Sequence, residues 1–302
     1  MEPTRPIYAT RLGRAFQGDC REILQSIPSG SVSLCCTSPP FPLRRKKAYG
    51  NVTAEEYPDW IMPIAKEIYR VLRPEGSLVL ELGGAWNSDG SRSLMNYALV
   101  VKFGGLFHLA DEFVWTNPRA LPAPAEWVCK QRVRCKDAVT HLYWFSKTRH
   151  PQADNRCVVI PYVRPAGTFR NGTHPSGHKL VAETWQADNG GAIPPNFFTV
   201  PGVACDDYMR RCQAADQVVH PARQPPELPD FFIRFLTRPN QLVLDPFAGS
   251  NTTGQVAEGL GRRWVSIEIL PEYVEASRLR FQLPSAVRRS AVTGPGRVPP
   301  AG

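Results

Sequence analysis

The sequence lacks several features that would assign a protein to a common class. No apolar run is long enough to span a bilayer, and residues 1–14 have no apolar core of a signal peptide. None of the eight cysteines forms a CxxC pair, and their other spacings do not match common zinc motifs. We therefore expect a cytoplasmic or nucleoid-associated protein in a reducing compartment, with no membrane segment, disulfide scaffold or metal centre.

Positive charge is in excess instead. The 302 residues carry a formal net charge of +9, part of it in four consecutive basic residues, Arg44, Arg45, Lys46 and Lys47. Such a charge favours a polyanionic partner. The alternative for the basic run is an ordinary solvated loop.

Strands and helices alternate along most of the chain, which predicts an α/β protein with a doubly wound, largely parallel sheet. Residues 150–215 break this pattern, being rich in Gly, Pro, Asn, Thr and His with weak periodicity. We expect 1–149 and 216–285 to form the two halves of one domain. Residues 150–215 are predicted to be an inserted, loop-rich lobe, and 286–302 a disordered tail.

The segment "LVLDPFAGSNTTG" at 242–254 runs from an apolar strand through a glycine-containing turn into a helix. The turn is neither GxGxxG nor a P-loop, which suits a nucleoside without a pyrophosphate. Glu268 ends the next predicted strand, where a carboxylate can accept hydrogen bonds from both ribose hydroxyls. An ordinary strand–helix turn with a surface Glu is the alternative.

The segment "TSPPF" at 37–41 follows the apolar run "SVSLCC". With it, the chain resembles the S-adenosylmethionine-dependent DNA amino-methyltransferases, in the permuted class whose catalytic motif precedes the cofactor motif. The catalytic signature [DNS]-P-P-[YF] is similar to Ser38, Pro39, Pro40 and Phe41. The "DPF-G-G-T" cofactor loop is similar to 245–253, although Asn251 stands where a Gly is common. The resemblance extends over about 15–283.

This resemblance implies a set of site residues. The catalytic residues would be Ser38, Pro39, Pro40 and Phe41. The cofactor S-adenosyl-L-methionine would be bound by Asp19, Asp245, Pro246, Phe247, Gly249, Glu268 and His220. The DNA contacts would come from Arg44, Arg45, Lys46, Lys47, Arg170 and Lys179. Asp19 also has the plainer interpretation of a turn-stabilising residue.

The catalytic segment suits amine methylation. Ser38 Oγ and the Pro39 carbonyl can accept hydrogen bonds from the two N–H groups of an exocyclic amine, and Phe41 offers a face for a flipped base. Ring-carbon methylation of cytosine needs a cysteine nucleophile, but Cys35 and Cys36 lie inside the predicted strand as small core residues. Within the family, Ser at the first motif position is typical of cytosine-N4 enzymes and Asp of adenine-N6 enzymes.

The resemblance therefore implies a site-specific cytosine-N4 DNA methyltransferase acting on double-stranded DNA beside a separate restriction endonuclease. An adenine-N6 enzyme of the same class, a non-catalytic nucleic-acid-binding protein on this fold, and methylation of RNA or a small molecule are the alternatives. A homodimer is left open.

Overall fold

The computed structural model describes residues 5–41, 52–87, 89–162, 171–173, 175–180, 188, 190–203 and 205–281. Its strands are β1 (Tyr8–Ala9), β2 (Gly13–Gln17), β3 (Val32–Thr37), β4 (Leu72–Gly83), β5 (His108–Thr116), β6 (Val139–Ser146), β7 (Gly172–Thr173), β8 (Lys179–Leu180), β9 (Phe197–Thr199), β10 (Leu242–Asp245) and β11 (Arg263–Glu268). Its α-helices are α1 (Cys20–Ile23), α2 (Tyr57–Val71), α3 (Met95–Phe103), α4 (Asp207–Ala214), α5 (Glu227–Leu236), α6 (Thr252–Gly259) and α7 (Pro271–Ser277).

These residues form a nine-stranded sheet in the order β1-β2-β11-β10-β3-β4-β6-β5-β9, with β7 and β8 in a separate pair. The strands from β2 to β4 are parallel, and β6 runs antiparallel between β4 and β5. The predicted doubly wound, largely parallel sheet is confirmed. The strand of the cofactor segment lies beside the strand of the catalytic segment, with Val243 opposite Leu34. Both segments therefore follow the carboxyl ends of neighbouring parallel strands and lie on the same side of the sheet.

Side-chain alternation along the central strands produces two apolar layers. In β4, Leu78, Leu80 and Leu82 belong to the cluster that includes α2 and α3, whereas Val79 belongs to the cluster of α5 and α6 on the opposite face. Each buried Leu or Val stabilises the fold by about 1.5–3 kcal/mol relative to an exposed position. This packing holds the strand ends in place at the edge where the site forms.

Apolar residues recur at helical spacing between residues 55 and 73, which predicts a helix, and α2 (Tyr57–Val71) forms there. The tetrapeptide "RPEG" at 73–76 predicts the end of this helix, and α2 ends at Val71, directly before β4 begins at Leu72. Leu72 is already extended, with ψ 139°, and pairs with Val32, and β4 carries the extra residues of the register shift before the next pair, Leu34 with Ser77. The predicted end of the helix is therefore correct, and the tetrapeptide itself lies in the first residues of β4.

Part of the predicted insert at 150–215 belongs to the main sheet. Its strand β9 pairs in parallel with β5, and Phe198 packs against Phe113 and Phe231. A strand of three residues is too short to produce a detectable period in the sequence. The segment predicted to be loop-rich therefore contributes one strand to the main sheet, and the predicted domain boundaries stay a prediction. The predicted tail at 286–302 lies outside the described residues.

Within the described ranges, no helix has the length and apolar character needed to cross a membrane.

Candidate active site

A cavity of about 630 Å³ opens at the carboxyl ends of the parallel strands. Its lining includes the catalytic segment from Ser38 to Phe41 and the cofactor segment from Asp245 to Gly249. Asp19, His220 and Glu268 also line it. Two segments about 200 residues apart in the sequence thus meet in one space, as their positions at adjacent strand ends predict.

The catalytic segment presents two hydrogen-bond acceptors. Among the described residues, neither the Ser38 hydroxyl nor the Pro39 carbonyl has a hydrogen-bond partner. The prolines fix φ and have no N–H that could compete for these acceptors. Phe41 lies over Gly83, where an added Cβ would be 3.1 Å from the ring atom Cε2. The segment is therefore rigid, and its acceptors are available to a bound group.

A hydrogen bond between buried side chains joins the two segments. Thr37, directly before Ser38, donates from Oγ1 to Asp245 Oδ1 at 2.7 Å, and the same oxygen accepts from the Phe247 N–H at 3.1 Å. Burial raises the pKa of Asp245 to about 6, although hydrogen bonds from Thr37 and Thr253 oppose this shift. Asp245 thus fixes the start of the cofactor turn relative to the catalytic segment.

The cofactor turn contains two residues in the left-handed region. Gly249 has φ +51°, and an added Cβ would lie 3.0 Å from His220 Nε2. Asn251 has φ +58° and caps α6 by accepting from the Gly254 N–H. Asn251 is buried and also donates to the Tyr8 hydroxyl at 2.9 Å. Asn251 thus forms the turn in the left-handed conformation, which Asn tolerates better than most residues other than Gly.

Glu268 braces the turn from the neighbouring strand. Its Oε2 accepts from the Gly249 N–H at 2.8 Å, and its Oε1 accepts from the Leu270 N–H at 3.0 Å. Burial raises the pKa of Glu268, while these backbone hydrogen bonds oppose the shift. A carboxylate has about four lone-pair sites in all, so the group can accept a further hydrogen bond from a ligand.

The contacts of Asp19 are those of a turn-stabilising residue, which is the plainer of its two interpretations. It caps α1 by accepting from the Arg21 N–H and forms an ion pair with the Arg21 guanidinium. The hydrogen bond from Arg21 holds the pKa of Asp19 below its usual value. Asp19 nevertheless lines the cavity, so a role in ligand binding stays a proposal.

Several cavity residues were not predicted from the sequence. Glu81 is buried in β4 and accepts a hydrogen bond from Gln224 at 2.5 Å. The signal for Glu81 was a single carboxylate within the apolar strand "SLVLELG". Asn117 and Arg119 enter from the loop after β5, where no local pattern marks them. Trp60 packs against Phe247 with 6.3 Å between the ring centroids and lines the cavity.

Most of the residues predicted to contact DNA lie outside the part of the chain that the structure describes. Arg44, Arg45, Lys46, Lys47 and Arg170 lie outside the described residues. Lys179 is an exposed residue of the small β7–β8 pair and does not line the cavity. These DNA-binding roles stay predictions.

Comparison with known proteins identifies the family. The model of the family N6_N4_Mtase, described as DNA methylase, matches residues 32–279. The chain belongs to this DNA methylase family. The chain is 44% identical to the type II methyltransferase M.PvuII of Proteus hauseri, over 92% of this chain and 86% of that protein.

Two solved structures extend this comparison. The structure of the PvuII DNA methyltransferase, described as cytosine-N4-specific, matches 94% of this chain and 91% of its own length, with TM-score 0.77 and 40% identity. The structure of a DNA modification methylase from Thermus thermophilus, complexed with S-adenosyl-L-methionine, has TM-score 0.56 and 22% identity over 89% of this chain and 93% of its own. The second match supports the fold.

Two cysteines of the methylase lie beside the catalytic segment. Cys35 and Cys36 are fully buried in β3, and burial raises the pKa of both thiols. A buried thiol with a raised pKa is a poor nucleophile. Their interpretation as core residues fits this environment.

Replacing Glu268 by Ala should weaken S-adenosylmethionine binding by about 1.5–3 kcal/mol, because charge-assisted hydrogen bonds to the ribose would be lost. Titration calorimetry measures this change. Glu272→Ala, an exposed carboxylate in the first turn of α7, is the control. Unchanged affinity of the Glu268 variant would remove Glu268 from the binding site.

Replacing Glu81 by Gln should change how the stability of the methylase depends on pH. Burial raises the pKa of Glu81 from 4.5 to about 7, so the folded protein holds this proton more tightly than the unfolded chain. The stabilisation from that proton is complete below pH 4.5 and is lost as the pH rises to about 7, a difference on the order of 3 kcal/mol. The Gln variant, which does not titrate, should therefore gain stability relative to wild type between pH 5 and 8. Parallel denaturant titrations should show this gain, and a constant difference across the range would contradict it.

Proposed function

We propose that this methylase transfers a methyl group from S-adenosylmethionine to the exocyclic N4 amine of a cytosine in double-stranded DNA, at a specific sequence. The target cytosine would be flipped out of the duplex into the cavity. The observation that carries the proposal is the meeting of the two segments in one cavity, with two available acceptors beside the cofactor turn.

The residues present fit S-adenosylmethionine. A tight turn without a basic side chain suits a nucleoside better than a phosphate, and the cavity of about 630 Å³ has room for it beside a base. Glu268 would hold the ribose, and Phe247 with Trp60 offers an aromatic wall. Asp19, Asp245, Pro246, Gly249 and His220 would complete the binding site.

The bound cofactor would supply an activated methyl group on a sulfonium. The residues of the chain then act on the base. Ser38 Oγ and the Pro39 carbonyl would accept hydrogen bonds from the two N–H groups of the amine, which orients the nitrogen lone pair toward the methyl carbon. Pro40 keeps the segment rigid, and Phe41 stacks on the flipped base.

Cytosine as the target base is supported by two observations. The first residue of the catalytic segment is Ser38, which provides a neutral acceptor. In addition, the PvuII methyltransferase, whose structure this chain resembles at 40% identity, is described as cytosine-N4-specific. An adenine-N6 product is the outcome that would revise this assignment.

The partners follow from the same activity. Double-stranded DNA would be contacted by Arg44, Arg45, Lys46, Lys47, Arg170 and Lys179, with 150–215 as the target-recognition insert between the halves 1–149 and 216–285. A separate restriction endonuclease would cleave the unmodified sequence. The protein would act in the bacterial cytoplasm at the nucleoid, as a monomer or a homodimer.

Transfer of a labelled methyl group tests the activity. The purified protein with methyl-tritiated S-adenosylmethionine should label long bacteriophage duplex DNA, and label neither RNA nor free nucleosides. Binding of the cofactor without transfer to any DNA would favour a non-catalytic DNA-binding protein. Transfer to RNA alone would also contradict the proposal.

A further inference from the structure

The loop at 117–138, between β5 and β6, forms part of the mouth of the cavity. Asn117 and Arg119 line the cavity near its start, and Thr140 lines it directly after the loop. The loop contains five basic and two acidic residues, a net charge of +3 over 22 residues. We propose that this loop is a DNA-binding surface on which Arg119 and Arg132 contact backbone phosphates beside the flipped nucleotide. The proposal rests on the function proposed above and adds residues that the predicted DNA contacts do not include.

The loop is held in one conformation by aromatic and ionic contacts with the segment after β4. The Arg134 guanidinium lies over the rings of Trp86 and Trp127, at 5.0 Å and 4.4 Å from their centroids. Arg92 lies 4.9 Å from the Trp86 centroid and forms an ion pair with Asp137. The three cation–π interactions and the ion pair together restrict the backbone of the loop.

Close backbone packing tightens this arrangement. Gly90 has φ +85°, and an added Cβ would lie 2.5 Å from the Trp127 ring. The Gly90 carbonyl accepts a hydrogen bond from Arg134. Lys136 donates from Nζ to the carbonyls of Pro118 and Ala120, at 3.2 Å and 3.3 Å. The two ends of the loop are therefore joined, and a charge carried on it has a defined position.

The basic side chains of the loop divide into two groups. Lys130, Arg134 and Lys136 have partners within the loop or beside it. Among the described residues, the side chains of Arg119 and Arg132 have no hydrogen-bond or ion-pair partner, and both residues are exposed. The two unpaired guanidinium groups belong to one ordered loop, of which Arg119 lines the cavity, and guanidinium groups fit the geometry of phosphate oxygens.

Arg132 also has an unfavourable backbone conformation. Its φ is +58°, at the end of a helical turn over Glu126–Lys130, where the Val133 N–H donates to the Trp127 carbonyl at 3.0 Å. Glycine is the usual residue in this position, because other residues are strained there. An Arg at a position where Gly would be more favourable for folding indicates that its side chain serves another purpose.

Salt-dependent binding of a 30-base-pair duplex tests the proposal with the variants Arg119→Ala and Arg132→Gly. Each should bind the duplex about tenfold more weakly at 0.1 M salt and reduce the slope of log K against log salt by about 1. Arg238→Ala is the control. Arg238 is exposed and precedes the amino end of β10, whereas the cavity lies at the carboxyl ends of the strands. It should match wild type.

A second readout separates phosphate contact from a structural role. Arg132→Gly removes the guanidinium and also the strained residue, so the melting temperature should stay equal or rise while DNA affinity falls. Affinities and slopes equal to those of Arg238→Ala would overturn the proposal. A loss of DNA affinity that accompanies a lower melting temperature in Arg132→Gly would overturn it for Arg132. The wild-type methyl-transfer assay tests the proposed function independently, since DNA affinity is measured without the cofactor.

Discussion

Ser38→Ala is expected to slow methyl transfer by about 2–4 kcal/mol of activation barrier, on the order of 30- to 1000-fold. The Ser38 hydroxyl has no partner among the described residues, so its removal leaves the surrounding structure intact. What is lost is one of two preorganised acceptors for the amine protons. Single-turnover kinetics on duplex DNA measures the rate, and calorimetry should show an unchanged affinity for S-adenosylmethionine.

The strand that leads into the catalytic segment supplies a matched control. Ser33 is a buried serine of β3, and its hydroxyl is without a partner in the described part of the chain. Ser33→Ala should therefore leave both the rate and the cofactor affinity unchanged. If Ser38→Ala transferred methyl groups as fast as Ser33→Ala, the proposed role of Ser38 would be wrong.

Asp245→Ala should lower the free energy of unfolding by about 3 kcal/mol, because the hydroxyls of Thr37 and Thr253 and the Phe247 N–H lose this acceptor. It should also reduce cofactor affinity at least about 100-fold, since the turn that carries Phe247 and Gly249 loses its attachment to β3. Denaturant titration and calorimetry measure the two effects.

Two further variants show which property of Asp245 matters. Asp245→Asn keeps an acceptor oxygen and should retain most of the stability, because the carboxylate, with its pKa raised to about 6, is costly to bury in its charged form. Asp230→Ala removes an exposed carboxylate that pairs with Arg234 on α5 and should cost less than about 1 kcal/mol. Equal destabilisation by Asp245→Ala and Asp230→Ala would refute the structural role of Asp245.

Local sequence patterns predicted those strands, turns and helices whose conformation depends on residues close together in the chain. The strand, turn and helix around Gly249 carry an apolar run, a glycine and a capping residue, and all three elements form as expected. Apolar and polar residues alternate in the segments of β5 and β6, which predicts two strands, and the two strands pair in antiparallel. Since parallel strand ends share one edge, the meeting of the catalytic and cofactor segments could be predicted as well.

The features that sequence reasoning missed depend on contacts between distant segments. The three residues of β9 form a strand only because β5 offers them a free edge. Glu81 is marked as a cavity residue by its position opposite Gln224, 143 residues away. Arg119 belongs to a loop whose conformation comes from the contacts of Trp86 and Trp127 with Arg134. No local period or motif encodes such contacts.

The identity of the methylated base tests the central claim most directly. Duplex DNA would be incubated with the purified protein and S-adenosylmethionine bearing a deuterated methyl group, then digested to nucleosides and analysed by mass spectrometry. The account predicts that the label appears in N4-methylcytosine. Label in N6-methyladenine would contradict the base assignment, and label in 5-methylcytosine would contradict the mechanism as well, since that product requires a nucleophilic thiol.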